Sequence, residues 1–77
     1  MKATEIIRKI VLKKGMKYSE LAYRLQIGQN VLNERLRQKN ISVDKMNEML
    51  QVLGYKIVVM PYNAPVKDEW FEINEEE

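Results

Sequence analysis

Cysteine and histidine are both absent from this 77-residue chain. Without cysteine, the chain forms no disulfide and offers no thiolate to a metal ion. Without histidine, it lacks the commonest general base, the usual zinc ligand and every Ser-His or Cys-His nucleophile pair. Only Thr4, Ser19 and Ser42 carry aliphatic hydroxyl groups, and none has such a base to activate it. We therefore predict no enzyme: no catalytic residue, no metal site and no cofactor.

Long apolar runs are also missing. None approaches the ~18–20 residues of a membrane span, and the N-terminus lacks the pattern of a signal peptide. We therefore predict no membrane partner and a cytoplasmic location. Hydrophobic residues make up 45% and charged residues 31% of the chain, which is typical of a folded domain. A chain of this size buries only about 60–65% of its unfolded surface, and self-association is a common remedy.

Charge is distributed unevenly along the chain, although the net charge is only +2. Residues 1–60 contain 12 Lys or Arg and 5 Asp or Glu, a net +7, whereas residues 61–77 contain one Lys and six acids, a net −5. A basic body with an acidic extension is a hint of nucleic-acid contact, although charge runs are usually plain solvated surfaces. The sequence predicts a basic domain over 1–60 and an acidic C-terminal extension over 61–77.

Apolar residues recur at helical spacing in four segments, at about 3–14, 18–26, 29–38 and 42–53. Thr4 and Ser42 are the predicted N-caps of the first and fourth helices. Gly15 ends the first segment in the left-handed conformation, and Gly54 ends the fourth. Met46 and Met49 share the apolar face of the fourth helix and are predicted to be core. The pattern indicates a mainly α fold of four helices.

The apolar period changes after Gly54. Tyr55–Met60 is short and β-branched and stops at Pro61, so it predicts a strand. One strand is not stable alone, because its backbone groups need partners. Antiparallel pairing with the same strand of a second copy satisfies them, and so does a hairpin in which Glu69–Ile73 returns along the same chain. The predicted dimer strand comprises Ile57, Val58, Val59 and Met60, with Ile57 and Val59 facing the helices.

The second and third segments have the features of a helix-turn-helix. Ala22 is small at the point where the two helices cross closely, and Ile27 and Leu32 fill the angle between them. The second helix of such a pair protrudes and enters a major groove ~12 Å wide. The pattern resembles the helix-turn-helix of the lambdoid phage repressor and Cro group, also called the Xre family. The residues that carry this resemblance are Glu20, Leu21, Ala22, Leu25, Ile27 and Leu32.

The resemblance covers about residues 3–60 and implies a four-helix, lambda-repressor-like domain whose C-terminal β-strand, as in Cro proteins, serves dimerisation or a small hairpin. It also implies a sequence-specific regulator, a repressor of phage or mobile-element type, acting as a homodimer on a palindromic operator. Two positions depart from the family. Lys17 replaces the usual Ser or Thr before the second helix, and Gln26 replaces the usual Gly. Either Gln26 takes a positive φ or the turn re-forms around Gly28.

Polar residues lie opposite Leu32 and Leu36 on the third helix, with Gln29 at its N-terminal tip and Asn33 on the flank; those on the opposite face are Asn30, Glu34 and Arg37. Asn and Gln pair bidentately with adenine, Arg with guanine, and Glu accepts from cytosine. The predicted base-reading residues are Gln29, Asn30, Asn33, Glu34 and Arg37, of which the resemblance implies the first four. The predicted phosphate-binding residues are Lys17, Tyr18, Arg24, Arg35, Lys39 and Asn40. The alternative is an ordinary solvated helix face.

Apolar residues within the acidic segment favour a second function from a different class. Trp70, Phe71 and Ile73 lie among acids, an arrangement that suits a protein-interaction or antitoxin-type module. The predicted partners are therefore double-stranded DNA, a second copy of the chain, and a protein at the acidic segment. Salt-dependent binding of mixed-sequence DNA is expected of the DNA-binding regulator and not of the protein-interaction module.

Overall fold

The computed structural model describes residues 1–74, and that range is mainly helical. Its helices are α1 (Ala3–Lys14), α2 (Tyr18–Leu25), α3 (Gln29–Arg37) and α4 (Val43–Val52). The predicted mainly α chain with four helices is therefore confirmed. None of the helices in this range has the length and apolar character needed to cross a bilayer.

The two predicted N-caps have different outcomes. The Ser42 hydroxyl accepts a hydrogen bond from the Lys45 backbone N–H at 3.2 Å, so Ser42 caps α4 as predicted. The prediction for Thr4 is wrong, because α1 already begins at Ala3 and Thr4 lies buried in its first turn. The carboxylate of Glu5 instead accepts from the Lys2 backbone N–H at 2.9 Å, which satisfies a donor at this helix start.

Three helices end in the same backbone turn. A residue with positive φ follows each of α1, α2 and α4, and these residues are Gly15 (65°), Gln26 (59°) and Gly54 (88°). The next N–H donates to the carbonyl five residues earlier, in the pairs Met16–Val11, Ile27–Ala22 and Tyr55–Leu50. This pattern defines a Schellman motif, whose last residue commonly makes an apolar contact. All three of those residues pack against the core.

The turn between α2 and α3 is formed by Gln26 and not by a glycine. Gln26 adopts the left-handed conformation, whereas Gly28 has an ordinary φ of −70° at the N-cap position of α3. Of the two alternatives for this turn, the positive φ at Gln26 is therefore the correct one. A non-glycine residue pays roughly 1–2 kcal/mol in this region, since its Cβ approaches the following carbonyl oxygen.

All four helices contribute to a single core. α2 packs against α3 and α4, and α4 also packs against α1. The buried apolar residues are Ile6, Ile7, Ile10, Val11, Leu21, Ala22, Leu32, Leu36, Met46, Met49, Leu50 and Leu53. The predicted core roles of the two methionines are therefore confirmed. Leu32 and Leu36 anchor one side of α3 in this core and leave its other side exposed.

The predicted C-terminal strand is not confirmed, since residues 1–74 contain no strand. Tyr55–Met60 follows α4 without β-pairing, and the hairpin with Glu69–Ile73 is not formed. The prediction that Val59 faces the helices is wrong, since its side chain is 95% exposed. The physical reason is that a strand needs a partner for its backbone groups, and this single copy supplies none.

The C-terminal segment is nevertheless attached to the helical body. Phe71 is half-buried against the core, and its ring centroid lies 6.2 Å from that of Tyr55. The Asn74 backbone N–H donates to the Met1 carbonyl at 3.1 Å, and the Asn74 side-chain oxygen accepts from the Met1 ammonium. The acidic extension therefore returns to the start of α1. Its last three residues lie outside the described range.

Candidate nucleic-acid interface

The exposed side of α3 carries every predicted base-reading residue. Leu32 and Leu36 are at most 5% exposed and fix the orientation of the helix against the core. The residues that remain exposed on α3 include Gln29, Asn30, Asn33, Glu34 and Arg37. The structure therefore brings the five predicted residues together on one accessible surface.

Gly28 stands at the N-cap position of α3 with an ordinary, unstrained backbone conformation. A Cβ placed on Gly28 would lie 2.7 Å from the Asn30 side-chain oxygen. The absence of a side chain at position 28 therefore leaves space for the Asn30 amide to turn back over the helix start. No side chain caps α3 at Gly28, and the backbone N–H groups of Gln29 and Asn30 make no hydrogen bond within the described range.

Glu34 and Arg37 are paired on the exposed side of α3. The Arg37 guanidinium donates to a Glu34 carboxylate oxygen at 2.5 Å, and both side chains are more than 60% exposed. A contact of Arg37 with a base or a phosphate either uses its remaining donors or replaces this pair. Exposed ion pairs contribute about 0–1 kcal/mol, so the replacement costs little.

The two arginines predicted to bind phosphate also have partners. Arg24 lies 2.7 Å from Glu20 on α2, and both side chains are about half-exposed. Arg35 lies 2.9 Å from Glu48 on α4, and its side chain is only 13% exposed. Arg35 therefore joins α3 to α4, while Arg24 remains accessible.

The other predicted phosphate-binding residues lie at the ends of α2 and α3. Lys17 is exposed at the N-cap position of α2, and its neighbour Tyr18 is half-buried against the core. Lys39 and Asn40 are exposed in the connection between α3 and α4. One exposed lysine, Lys17, therefore precedes α3 in the sequence, and another, Lys39, follows it.

Sequence reasoning missed Arg8 of α1. Its guanidinium donates to the Leu36 carbonyl at 3.0 Å and so reaches the last turn of α3. Arg8 also lines a surface depression with Tyr18, Asn33, Leu36 and Arg37. The available signal was weak, because Arg8 stands next to the buried Ile7 but nothing local indicates that α1 approaches the end of α3.

Comparison with known proteins identifies no relative of this chain. No protein-family model matches the chain, and no curated protein or solved structure matches it significantly. Its assignment to the lambdoid repressor and Cro group therefore stays a prediction that rests on the motif residues.

Proposed function

We propose that the chain is a sequence-specific, double-stranded-DNA-binding regulator of the helix-turn-helix type. In this proposal α3 is the recognition helix and α2 supports it. The observation that carries the proposal is the surface of α3, where five side chains suited to base recognition stand on a helix whose opposite side is fixed in the core.

The connection between α2 and α3 supports this assignment. Only residues 26–28 separate the two helices, and the Schellman motif at Gln26 ends α2 abruptly. Ala22 is 3% exposed in the core, which suits a close approach of helices. A short turn and a small buried residue allow the first helix to brace the second while the second protrudes into a major groove.

Charge supports nucleic acid as the ligand. The basic part of the chain, residues 1–60, carries a net +7. Lys17 and Lys39 are exposed and make no ion pair within the described range. Cations of this kind neutralise phosphates and release counterions, which supplies most of the non-specific affinity for DNA.

A homodimer is the second part of the proposal. Successive major grooves lie about 34 Å apart on one side of DNA, so a palindromic operator calls for two recognition helices related by a two-fold axis. Residues 56–60 make no backbone hydrogen bond within the described range and expose Val58 and Val59. Antiparallel pairing of this segment between two copies satisfies its backbone and covers its apolar side chains.

The regulator acts by occupying its operator, as a repressor of phage or mobile-element type. The test is selection of bound duplexes from a random-sequence library, followed by sequencing. We expect an inverted repeat whose half-sites are centred about 10 base pairs apart. Bound duplexes that share no sequence would contradict sequence-specific recognition.

A protein-interaction module of antitoxin type is a second candidate. The C-terminal segment exposes Tyr62 (95%), Val66 (42%) and Trp70 (44%), and the Lys67 ammonium lies 5.2 Å from the Trp70 ring centroid. Large exposed apolar side chains in one segment favour contact with another protein. Under this alternative, Trp70→Ala abolishes binding of the protein partner, and the chain shows no salt-dependent binding to DNA.

A further inference from the structure

A depression on the surface brings together residues from α1, α2 and α3. Its lining residues are Arg8, Tyr18, Asn33, Leu36 and Arg37. Its volume is about 330 Å³, and it is open to solvent, so a phosphate group can enter it.

The chemistry of the lining favours an anion. Two guanidinium groups, a phenol and a carboxamide line the depression, and each of them carries at least one hydrogen-bond donor. No carboxylate of the described residues lines it. A second depression of similar size is lined by the cationic residues Lys2, Arg37 and Lys39, but also by the carboxylate of Glu5.

Arg8 is the least neutralised arginine of the described chain. Arg24, Arg35 and Arg37 each lie within 3 Å of a carboxylate oxygen, whereas Arg8 has no such ion pair. One of its donors is used by the Leu36 carbonyl at 3.0 Å. That bond holds the guanidinium in place and leaves its other donors for a ligand.

We propose that this depression binds a phosphodiester of the DNA backbone, with Arg8 as its central cation. The inference rests on the proposed function and adds to it a contact from α1. Asn33 and Arg37 belong both to the depression and to the exposed side of α3. A phosphate bound here lies beside the bases that α3 reads.

The same guanidinium then holds the phosphate and the last turn of α3. Phosphate contacts fix the register and orientation of a protein on the duplex. A phosphate joined to Leu36 through Arg8 therefore sets how α3 enters the groove. Arg8 acts as a positioning residue for base recognition as well as a phosphate ligand.

The first experiment measures the salt dependence of binding to mixed-sequence duplex for Arg8→Met and Arg8→Lys. Lys9→Met is the control. Lys9 is the next residue of α1, is exposed and does not line the depression. In Arg8→Met we expect the magnitude of the log–log salt slope to decrease by about 0.9 for each bound subunit, the value for one lost phosphate contact per copy of Arg8. Arg8→Lys keeps the slope, whereas Lys9→Met leaves it at the wild-type value.

The possible outcomes separate this inference from the proposed function. A wild-type slope near zero overturns both, because the chain then makes no phosphate contact. A steep wild-type slope with equal slopes in Arg8→Met and Lys9→Met overturns only the role of the depression. Thermal unfolding of each variant shows whether loss of the Leu36 contact has disturbed the fold.

A second experiment stands even if Arg8→Met does not fold. Tyr18→Phe removes one donor from the depression and leaves the Arg8–Leu36 bond in place. We expect about a three- to tenfold loss of affinity, equal for the selected and mixed duplexes. Titration of the wild-type chain with dimethyl phosphate should shift the NMR signals of the Arg8 side chain and the Asn33 amide. Unchanged affinity together with unshifted signals overturns the proposal.

Discussion

At the scale of single residues, Gln26 shows how a local conformation shapes the turn before α3. It occupies the left-handed position that glycine fills at the ends of α1 and α4. The backbone hydrogen bonds of the three turns are equivalent, and Ile27 packs against the core directly after Gln26, so these contacts compensate the cost of the left-handed conformation at a glutamine. The strained left-handed residue therefore lies in the turn that leads into α3.

Gln26→Gly should increase the free energy of unfolding by about 0.5–1 kcal/mol. Relief of the left-handed strain outweighs the greater freedom of glycine in the unfolded chain. Gln51→Gly, in the last turn of α4, is the matched control and should lower stability by up to about 1 kcal/mol. Urea unfolding measures both, and a lower midpoint for Gln26→Gly would contradict the account.

Gln29→Ala and Asn30→Ala should each weaken operator binding by about 1–3 kcal/mol and leave binding to mixed duplex nearly unchanged. Both residues lie exposed in the first turn of α3. Gln51→Ala removes an exposed amide from α4 and is the control. Fluorescence anisotropy on the two duplexes measures the difference, and equal losses on both would show that these residues do not read bases.

At the scale of elements, α3 is supported from both of its flanks. Arg8 of α1 holds the Leu36 carbonyl at its last turn, and Glu48 of α4 holds Arg35. α2 packs beneath it in the core. A helix fixed by three neighbours presents its exposed side chains in one orientation, as base recognition requires.

Ala22→Leu should lower the free energy of unfolding by about 1–3 kcal/mol, because extra methylenes in a packed core force the helices apart. Ala22 is 3% exposed, whereas its neighbour Tyr23 is 82% exposed, so Tyr23→Leu is the control. Thermal unfolding measures both variants. If Ala22→Leu melts like the wild type, Ala22 does not lie at a close helix crossing.

Helical periodicity was sufficient to predict the elements, because local apolar spacing reflects burial in a small helical core. The span 3–14 was predicted without error, and Ser42 was identified as a cap from its position before an apolar run. Thr4 was misassigned because the N-cap position is Lys2, two residues earlier, where the Glu5 carboxylate accepts from the Lys2 backbone N–H. Cap positions depend on single hydrogen bonds that periodicity does not resolve.

The contacts between elements were less predictable. Neither the Arg8–Leu36 bond nor the Arg35–Glu48 pair is local in sequence, since each depends on how the helices are arranged. The five exposed residues of α3 were found because the helix has one clear apolar side. The segment 55–60 has the composition of a strand, but its conformation depends on a partner that the sequence of one copy does not reveal.

At the scale of the whole molecule, the C-terminal segment determines the proposed assembly. Val58→Pro removes a backbone donor that makes no hydrogen bond within the described residues. We expect a folded monomer with greatly weakened operator binding, whereas Val58→Thr, which keeps the N–H and the β-branch, should still dimerise. Sedimentation equilibrium measures the mass. A wild-type chain that is monomeric at high micromolar concentration and also on DNA would contradict the dimer.

The separation of charge along the chain is the other whole-molecule feature. The basic residues belong to the helical domain, and the acidic extension folds back to Met1 through Asn74. Under the proposed function, the exposed cations of the domain are the source of attraction to DNA, and we expect this attraction to appear as counterion release.

DNA binding is tested most simply by measuring the affinity of the wild-type chain for mixed-sequence duplex DNA between 50 and 200 mM salt. We expect a linear log–log plot that falls steeply, with a slope of about −0.9 for each phosphate neutralised, and tighter binding of the selected duplex at every salt concentration. A slope near zero on both duplexes would contradict DNA binding.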